Sequence, residues 1–327
     1  MKKYLKSIES TNKNTKNKYK MVSLSPLRYA GGKSRAVGHI LEHFPNNIGN
    51  TIVSPFFGGG SFELVLSKEL GFKVIGYDIF DILVNYWQFQ INDSESLYRE
   101  LKKLIPDKKN FTKNRHILLN YWNKVKPEDL DYKTRRKVSL TENEKTLLDE
   151  NLLLRAVYYY YNHQLSYGPM FLGWPSSVYL DQGRYDSILE KVKNFEGGDI
   201  QVKCDSFETV IKRHKNDFLF CDPPYYLDGD SKMFKGIYPN SNFAIHHNKF
   251  DYILFRNLLK QHKGGFLITY NNCSAVREMY KEYEQYFPSW QYSYGQGETR
   301  IGKNRIEKGK LDNIKNSHEI IIVSRPK

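Results

Sequence analysis

The sequence predicts an α/β protein: a doubly wound sheet interrupted by a long, mainly helical insertion. Three observations predict it. Short apolar or β-branched runs end in glycine- or proline-rich turns, as strands feeding ligand-binding loops do. The first of these turns opens into a helical apolar pattern. About 120 residues separate the second and third runs, far more than a connecting loop or one crossover helix needs.

The elements follow in chain order. Residues 1 to 20 are rich in Lys, Asn and Ser and lack the apolar core of a signal peptide, so a disordered basic arm is expected. Arg28-Tyr29-Ala30-Gly31-Gly32-Lys33-Ser34 then resembles the tail of a P-loop, but a P-loop requires glycine where Leu27 stands. The segment instead sets an aromatic ring, a flexible turn and a lysine before a helix, a setting for an anionic carboxylate or phosphate. Thr51-Ile52-Val53 starts the sheet. It feeds Ser54-Pro55-Phe56-Phe57-Gly58-Gly59-Gly60-Ser61, followed by the helical pattern Phe62, Leu64, Val65, Leu66 and Leu70. Glycines in such a turn let backbone approach a ligand. The next strand, Lys73 to Tyr77, ends at Asp78. That acid lies 18 residues beyond Gly60, close to the roughly 20 expected of a ribose-binding carboxylate. The turn is not a clean G-x-G-x-x-G, which argues against a nicotinamide cofactor.

Further strands are expected near 200–203, 218–221 and 265–270, with a closing antiparallel pair at 289–294 and 319–324. Glu319 to Ser324 is β-branched and continuous, as a buried strand should be. The Leu/Lys/Glu content of the insertion favours helices.

Asp222-Pro223-Pro224-Tyr225 follows the apolar run Phe218 to Cys221. It reads as a strand ending in a rigid acidic loop with an aromatic beside it. An exocyclic amino group of a DNA base is a poor nucleophile, because its lone pair is delocalised. A carboxylate (Asp222) and a backbone carbonyl (Pro223) that accept its two N–H bonds would localise that lone pair. The prolines hold those acceptors in place, and Tyr225 can stack on an extruded base. An ordinary proline turn is the plain alternative, so the reading rests on the glycine turn as its partner.

Composition points the same way. The chain has 327 residues and a net charge of +14, which favours a polyanionic partner. Its 25 tyrosines suit base stacking and wet interfaces. Cys204, Cys221 and Cys273 are scattered, as expected of reduced cytosolic thiols. No Cys/His spacing suggests zinc, and no apolar run approaches the roughly 18 residues of a membrane span.

In this order, Tyr29 to Lys33, Pro55 to Ser61 and Asp222 to Tyr225 resemble the three motifs of the Dam-type (D12 class, alpha group) DNA adenine-N6 methyltransferases. The resemblance covers roughly residues 24 to 324. It implies a Rossmann-like S-adenosylmethionine-dependent methyltransferase sheet with an inserted, mainly helical DNA target-recognition subdomain. On that reading the catalytic domain takes 21–84 and 196–327 and the insertion 85–195. The implied catalytic residues are Asp222, Pro223, Pro224 and Tyr225. The implied S-adenosyl-L-methionine pocket comprises Tyr29, Ala30, Gly31, Lys33, Pro55, Phe56, Phe57, Gly58, Gly59, Gly60, Ser61, Asp78 and Asp222. Asp205, after the third strand, either bonds the cofactor's adenine amino group or is a simple strand-end acid. One departure is Ser54, where many relatives carry an acid.

The implied partner is double-stranded DNA. Asn and Gln can read adenine edges and Arg guanine, so Arg155, Asn162, Gln164, Ser166 and Tyr167 are candidate DNA contacts, with Lys133 to Lys137 as a basic cluster. Core packing is expected for two or three of Tyr158 to Tyr161. Arg300, Lys303 and Arg305 lie in a second basic loop suited to phosphates. Residues 227–242 are expected to form a flap over the site. The expected activity is site-specific adenine-N6 methylation, with restriction-modification or protection of self DNA as its role and a cognate endonuclease as functional partner. The expected state is a monomer or weak dimer in the cytoplasm of a bacterium, or encoded by a phage or virus. N4-cytosine methylation and a catalytically degenerate DNA-binding protein remain the alternatives.

Overall fold

The structure, a computed structural model, describes residues 1–10, 18–126, 139–168, 170–226, 250–288 and 319–326. Its centre is a seven-stranded sheet of β1 (Thr51–Ser54), β2 (Lys73–Asp78), β3 (Ile200–Cys204), β4 (Phe218–Cys221), β5 (Phe266–Asn271), β6 (Glu284–Tyr286) and β7 (Glu319–Ser324). The strand order is β3-β2-β1-β4-β5-β7-β6. The five strands from β3 to β5 run parallel. β7 runs antiparallel to both β5 and β6.

Alternation along the strands sends side chains to two separate cores. Ile52, Val74, Phe218 and Phe220 join the core shared with the helical insertion. Val53, Leu219, Cys221 and Ile268 join a second core beneath α9 (Phe207–Arg213), α10 (Tyr252–Gln261) and α11 (Ser274–Met279). The strand order reverses between β1 and β4. In such sheets the crevice beyond the carboxyl ends of the two strands at this reversal is where ligands bind. The glycine turn leaves β1 and Asp222 leaves β4, so both open into that crevice.

Between β2 and β3 lie α3 (Asp81–Asn92), α4 (Ser94–Lys102), α5 (Lys108–Val125), α6 (Glu142–Thr146), α7 (Leu152–Leu165) and α8 (Gln182–Lys193). Several begin on side-chain caps that satisfy otherwise unpaired N–H groups. Asp93, Asp107, Asn151 and Asp181 cap α4, α5, α7 and α8, and Thr141 with Glu144 forms a capping box on α6. α7 packs against α3, α4 and α5. With neighbours on several sides, it buries most of its length. No helix among the described residues is long and apolar enough to cross a membrane.

One expectation changes. The basic arm is not disordered where it is described. Lys2–Ser7 forms α1, and Ile8 and Tyr19 are buried. Backbone bonds join Ser10 to Lys18 and Lys20 to Ile8. The Tyr19 ring lies over Gly38 of α2 (Val37–His43), where a Cβ would come within 2.1 Å of it. Ile8 and Tyr19, with Met1, Tyr4 and Leu5 packed against the same core, dock it. β7 runs antiparallel as expected and pairs with β5 and with Glu284–Tyr286, while its expected partner at 289–294 falls outside the described residues.

Candidate active site

The site is built from three loops. The first precedes α2. Tyr29 lies against the glycine turn, and a Cβ on Gly59 would stand 2.5 Å from the Tyr29 Cβ. Its ring stacks on His163 of α7, with centroids 5.8 Å apart. Ala30 follows it and is partly buried. Gly31 adopts φ +78°, a left-handed conformation that glycine tolerates. Its carbonyl accepts a hydrogen bond from Lys33 Nζ at 2.9 Å.

The second loop is the glycine turn. Gly58 and Gly60 have φ of +48° and +62°, so the turn depends on glycine at both. Gly58 N–H donates to Asp78 Oδ2 at 2.9 Å, and Phe80 N–H donates to Asp78 Oδ1 at 2.9 Å. Trp87 Nε1 of α3 holds the Gly58 carbonyl at 2.9 Å. Pro55 and Ser61 are buried at the two ends of the turn. Phe56 and Phe57 part company. Phe56 packs with Phe207, Phe250 and Phe255. Phe57 does not face the crevice as expected. It is 2% exposed, lies against Gly60 and Gly76, and meets Trp87 edge-on. The lack of a Cβ at both glycines makes room for its ring.

The third loop carries the acid. Asp222 Oδ2 pairs with Lys33 Nζ at 2.7 Å, and Oδ1 accepts from Thr269 Oγ1 of β5 at 2.8 Å. The carboxylate is therefore fixed from both sides before any ligand arrives. Pro223 is buried and Pro224 is partly so. Tyr225 is not the open stacking face expected. It is 4% exposed, and its hydroxyl donates to the Glu319 carboxylate at 3.0–3.1 Å. Lys33 Nζ lies 5.1 Å from its ring centre. Asn271 clamps the next residue, bonding both the N–H and the carbonyl of Tyr226 at 2.8 Å.

Glu63, just behind the glycine turn, is 3% exposed and accepts a hydrogen bond from Ser54 Oγ at 2.7 Å. Burial pushes its carboxyl up to about 8, opposed by its backbone bond and by Ser54. Asp205 is engaged locally at the end of β3. Arg213 pairs with its Oδ2 at 2.7 Å, and Ser206 N–H bonds its Oδ1.

Of the five expected DNA contacts among the described residues, three are buried and Arg155 is tied down within the fold. The Arg155 guanidinium binds the carbonyls of Leu148 and Asp149 and covers the Tyr121 ring. Asn162, Gln164 and Ser166 are each no more than 1% exposed. The α7 environment explains this, because a helix buried on several sides hides polar positions along with apolar ones. Tyr159, Tyr160 and Tyr161 are buried too, the latter two bonding the carbonyls of Pro26 and Ile105. Tyr167 alone among these candidates stands out, 70% exposed. Its N–H bonds the carbonyl of Trp174, itself 52% exposed. Arg28 holds the Ser166 carbonyl, while Arg115 holds that of Leu172 and lies over the Trp174 ring. Arg300, Lys303, Arg305, the 133–137 cluster and the 227–242 flap lie outside the described residues.

The donor set fits S-adenosylmethionine, whose amino-acid end carries both charges and whose ribose offers hydroxyl donors. A buried lysine, the carboxylates Asp78 and Asp222, and a glycine turn stripped of Cβ atoms converge at one strand reversal. Sequence inspection missed Glu63, Thr269, Trp87 and Glu319. Only Glu63 left a signal, an acid three residues past the glycine run.

This fold and crevice define a Rossmann-like methyltransferase. The chain belongs to the D12 class N6 adenine-specific DNA methyltransferase family, which it matches over residues 29–294. It is also similar to the type II methyltransferase M.FokI of Planomicrobium okeanokoites, at 24% identity over 234 residues. The matched region covers 68% of this chain and 32% of that protein, so the chain spans about a third of its relative's length.

Proposed function

We propose that the chain methylates the N6 amino group of adenine in double-stranded DNA at a specific site. The observation that carries this is the convergence of Lys33, the glycine turn and Asp222 at the reversal between β1 and β4. S-adenosylmethionine, when bound, supplies an electrophilic methyl group. The protein's own residues do the rest by positioning. Lys33 and Thr269 hold Asp222 so that its carboxylate can accept one N–H of the target amino group. The Pro223 carbonyl accepts the other. Asp222 need not be a strong base, because the amino proton becomes acidic as the new bond forms. Tyr225, braced by Glu319, packs beside Lys33 and keeps the loop that carries Asp222 in place. Asp78 and the glycine turn line the cofactor's side of the crevice.

The helices between β2 and β3 serve as the target-recognition unit. Tyr167 and Trp174 form its exposed aromatic tip, and Arg300, Lys303 and Arg305 grip phosphates. The biological role is restriction-modification or protection of self DNA. Methylation mapping tests the function. Unmethylated plasmid is incubated with the protein and S-adenosylmethionine and read by single-molecule sequencing. N6-methyladenine in one short motif, absent with Asp222→Ala, is the expected result. N4-methylcytosine would overturn the base assignment. Cofactor binding and DNA retardation without any modified base would favour a non-catalytic DNA-binding protein.

A further inference from the structure

Glu63 is an acid that methyl transfer itself does not use. Its place is unusual. It sits behind the glycine turn, and Ser54, the residue entering that turn, gives it a 2.7 Å hydrogen bond. The groups that act on its charge are Asp222, which raises its proton affinity, and Lys33, which lowers it. Cys221 also faces it, and burial holds that thiol neutral by pushing it well upward.

Charge balance decides what Glu63 can be. Lys33 and Asp222 already neutralise each other at 2.7 Å. An ionised Glu63 would add a buried negative charge with no counterpart, which is costly. A protonated Glu63 leaves the Lys33–Asp222 pair balanced, at the cost of an acid held well above its ordinary range. A net positive ligand in the crevice reverses the balance. The carboxylate then gains a partner, and Ser54 already donates to the ionised form.

We propose that Glu63 is protonated in the free protein and releases its proton to solvent when cationic S-adenosylmethionine binds. It takes the proton back when the neutral thioether product replaces the donor. The site thereby distinguishes charged donor from spent product. Ser54 and Glu63 together supply the negative group that Ser54 alone leaves out of the turn. This rests on the cofactor reading given above.

Calorimetry of the full chain tests it. S-adenosylmethionine and S-adenosylhomocysteine are titrated at pH 7 in phosphate and in Tris, whose ionisation enthalpies differ. Donor binding should release most of one proton per site, and product binding far less. The release should fade above about pH 9, where Glu63 is already ionised. Glu63→Gln should bind donor with the same heat in both buffers and narrow the preference for donor over product about tenfold. Equal heats in both buffers for the wild type, or an unchanged proton release in Glu63→Gln, would overturn the role of Glu63 and leave the cofactor reading standing. No donor binding by the wild type would overturn both. The wild-type pH series decides the matter even if the variant fails to fold.

Discussion

Lys33 and Asp222 are 189 residues apart in sequence and 2.7 Å apart in space. This contact ties the loop before α2 to the loop after β4. It also leaves Asp222 held by partners on both oxygens. Asp222→Asn keeps the shape and most of the polar contacts while removing the charge. It should lower single-turnover methyl transfer by at least about 10²-fold, the scale for losing an electrostatic contact to a reacting group. Its melting temperature should also fall, because buried Lys33 loses its counter-ion. Rapid-quench kinetics beside a thermal melt separate the two effects. Transfer at the wild-type rate would remove Asp222 from the chemistry.

Tyr225 separates bracing from packing. Its hydroxyl donates to buried Glu319 at 3.0–3.1 Å. Tyr225→Phe keeps the ring but withdraws that donor, at a cost of about 1–3 kcal/mol in stability. If the packing of the ring holds the acid loop in place, transfer by Tyr225→Phe should fall only modestly and Tyr225→Ala heavily. Denaturant titration and turnover on the same preparations give both numbers. Equal losses in the two variants would mean that the hydroxyl, not the ring, matters.

The parts of the site that could be read in the sequence are those whose chemistry is local. Asp222 with its prolines, and Gly58 to Gly60 with Asp78 after the next strand, are short-range patterns that backbone geometry imposes. The strands around them were legible for the same reason. Burial was not. Asn162 and Gln164 look like base readers, yet α7 is enclosed on several sides, and periodicity does not distinguish a half-buried helix from a buried one. Phe56 and Phe57 are adjacent in sequence but serve opposite cores, a consequence of the turn's glycines. Ser54 and Glu63 have no shared motif, and only the fold shows that they form a pair. β6 is three residues long, too short for an alternating pattern.

Gly59 is a test of how closely Tyr29 must approach. A Cβ there would stand 2.5 Å from the Tyr29 Cβ, on the near part of the side chain that rotation cannot move away. Gly59→Ala should therefore displace the loop before α2 and cost about 1–3 kcal/mol. S-adenosylmethionine affinity should fall with it, since Lys33 rides on the same loop. Equilibrium dialysis and a thermal melt check both. Unchanged affinity would show that the loop can shift without consequence for the crevice.

Tyr167 and Trp174 project side by side, 70% and 52% exposed, from a loop pinned by Arg28 and Arg115. Aromatic contacts to bases are worth about 1–3 kcal/mol each. Tyr167→Ala should weaken specific DNA binding about tenfold or more, at unchanged stability and cofactor affinity. Fluorescence anisotropy with the mapped site measures it. An unchanged affinity would assign DNA contact to other surfaces.

The stability of the protein should be level between pH 4.5 and 6.5 and fall on either side, because two buried groups act in opposite directions. Glu63 is raised from 4.5 to about 8 by burial. The folded state therefore holds a proton that the unfolded chain gives up, and its contribution to stability falls as pH rises from about 4.5 through about 8. His163 behaves oppositely. Burial lowers it from 6.5 to about 3, with the positive charge of Arg28 adding to the effect. Here the unfolded chain takes up a proton that the folded state refuses, so its contribution is fully present above 6.5 and falls as pH drops toward about 3. A tenfold change in proton affinity is worth about 1.4 kcal/mol, so each contribution reaches up to about 5 kcal/mol at its limit. Glu63→Gln should remove the alkaline decline and make the variant more stable than the wild type at pH 9, while changing little at pH 4. His163→Gln should flatten the acid side instead. Urea titrations from pH 4 to 9 on the three proteins give the curves. An alkaline limb that survives Glu63→Gln would mean that another group, and not this carboxyl, is being forced to ionise inside the fold.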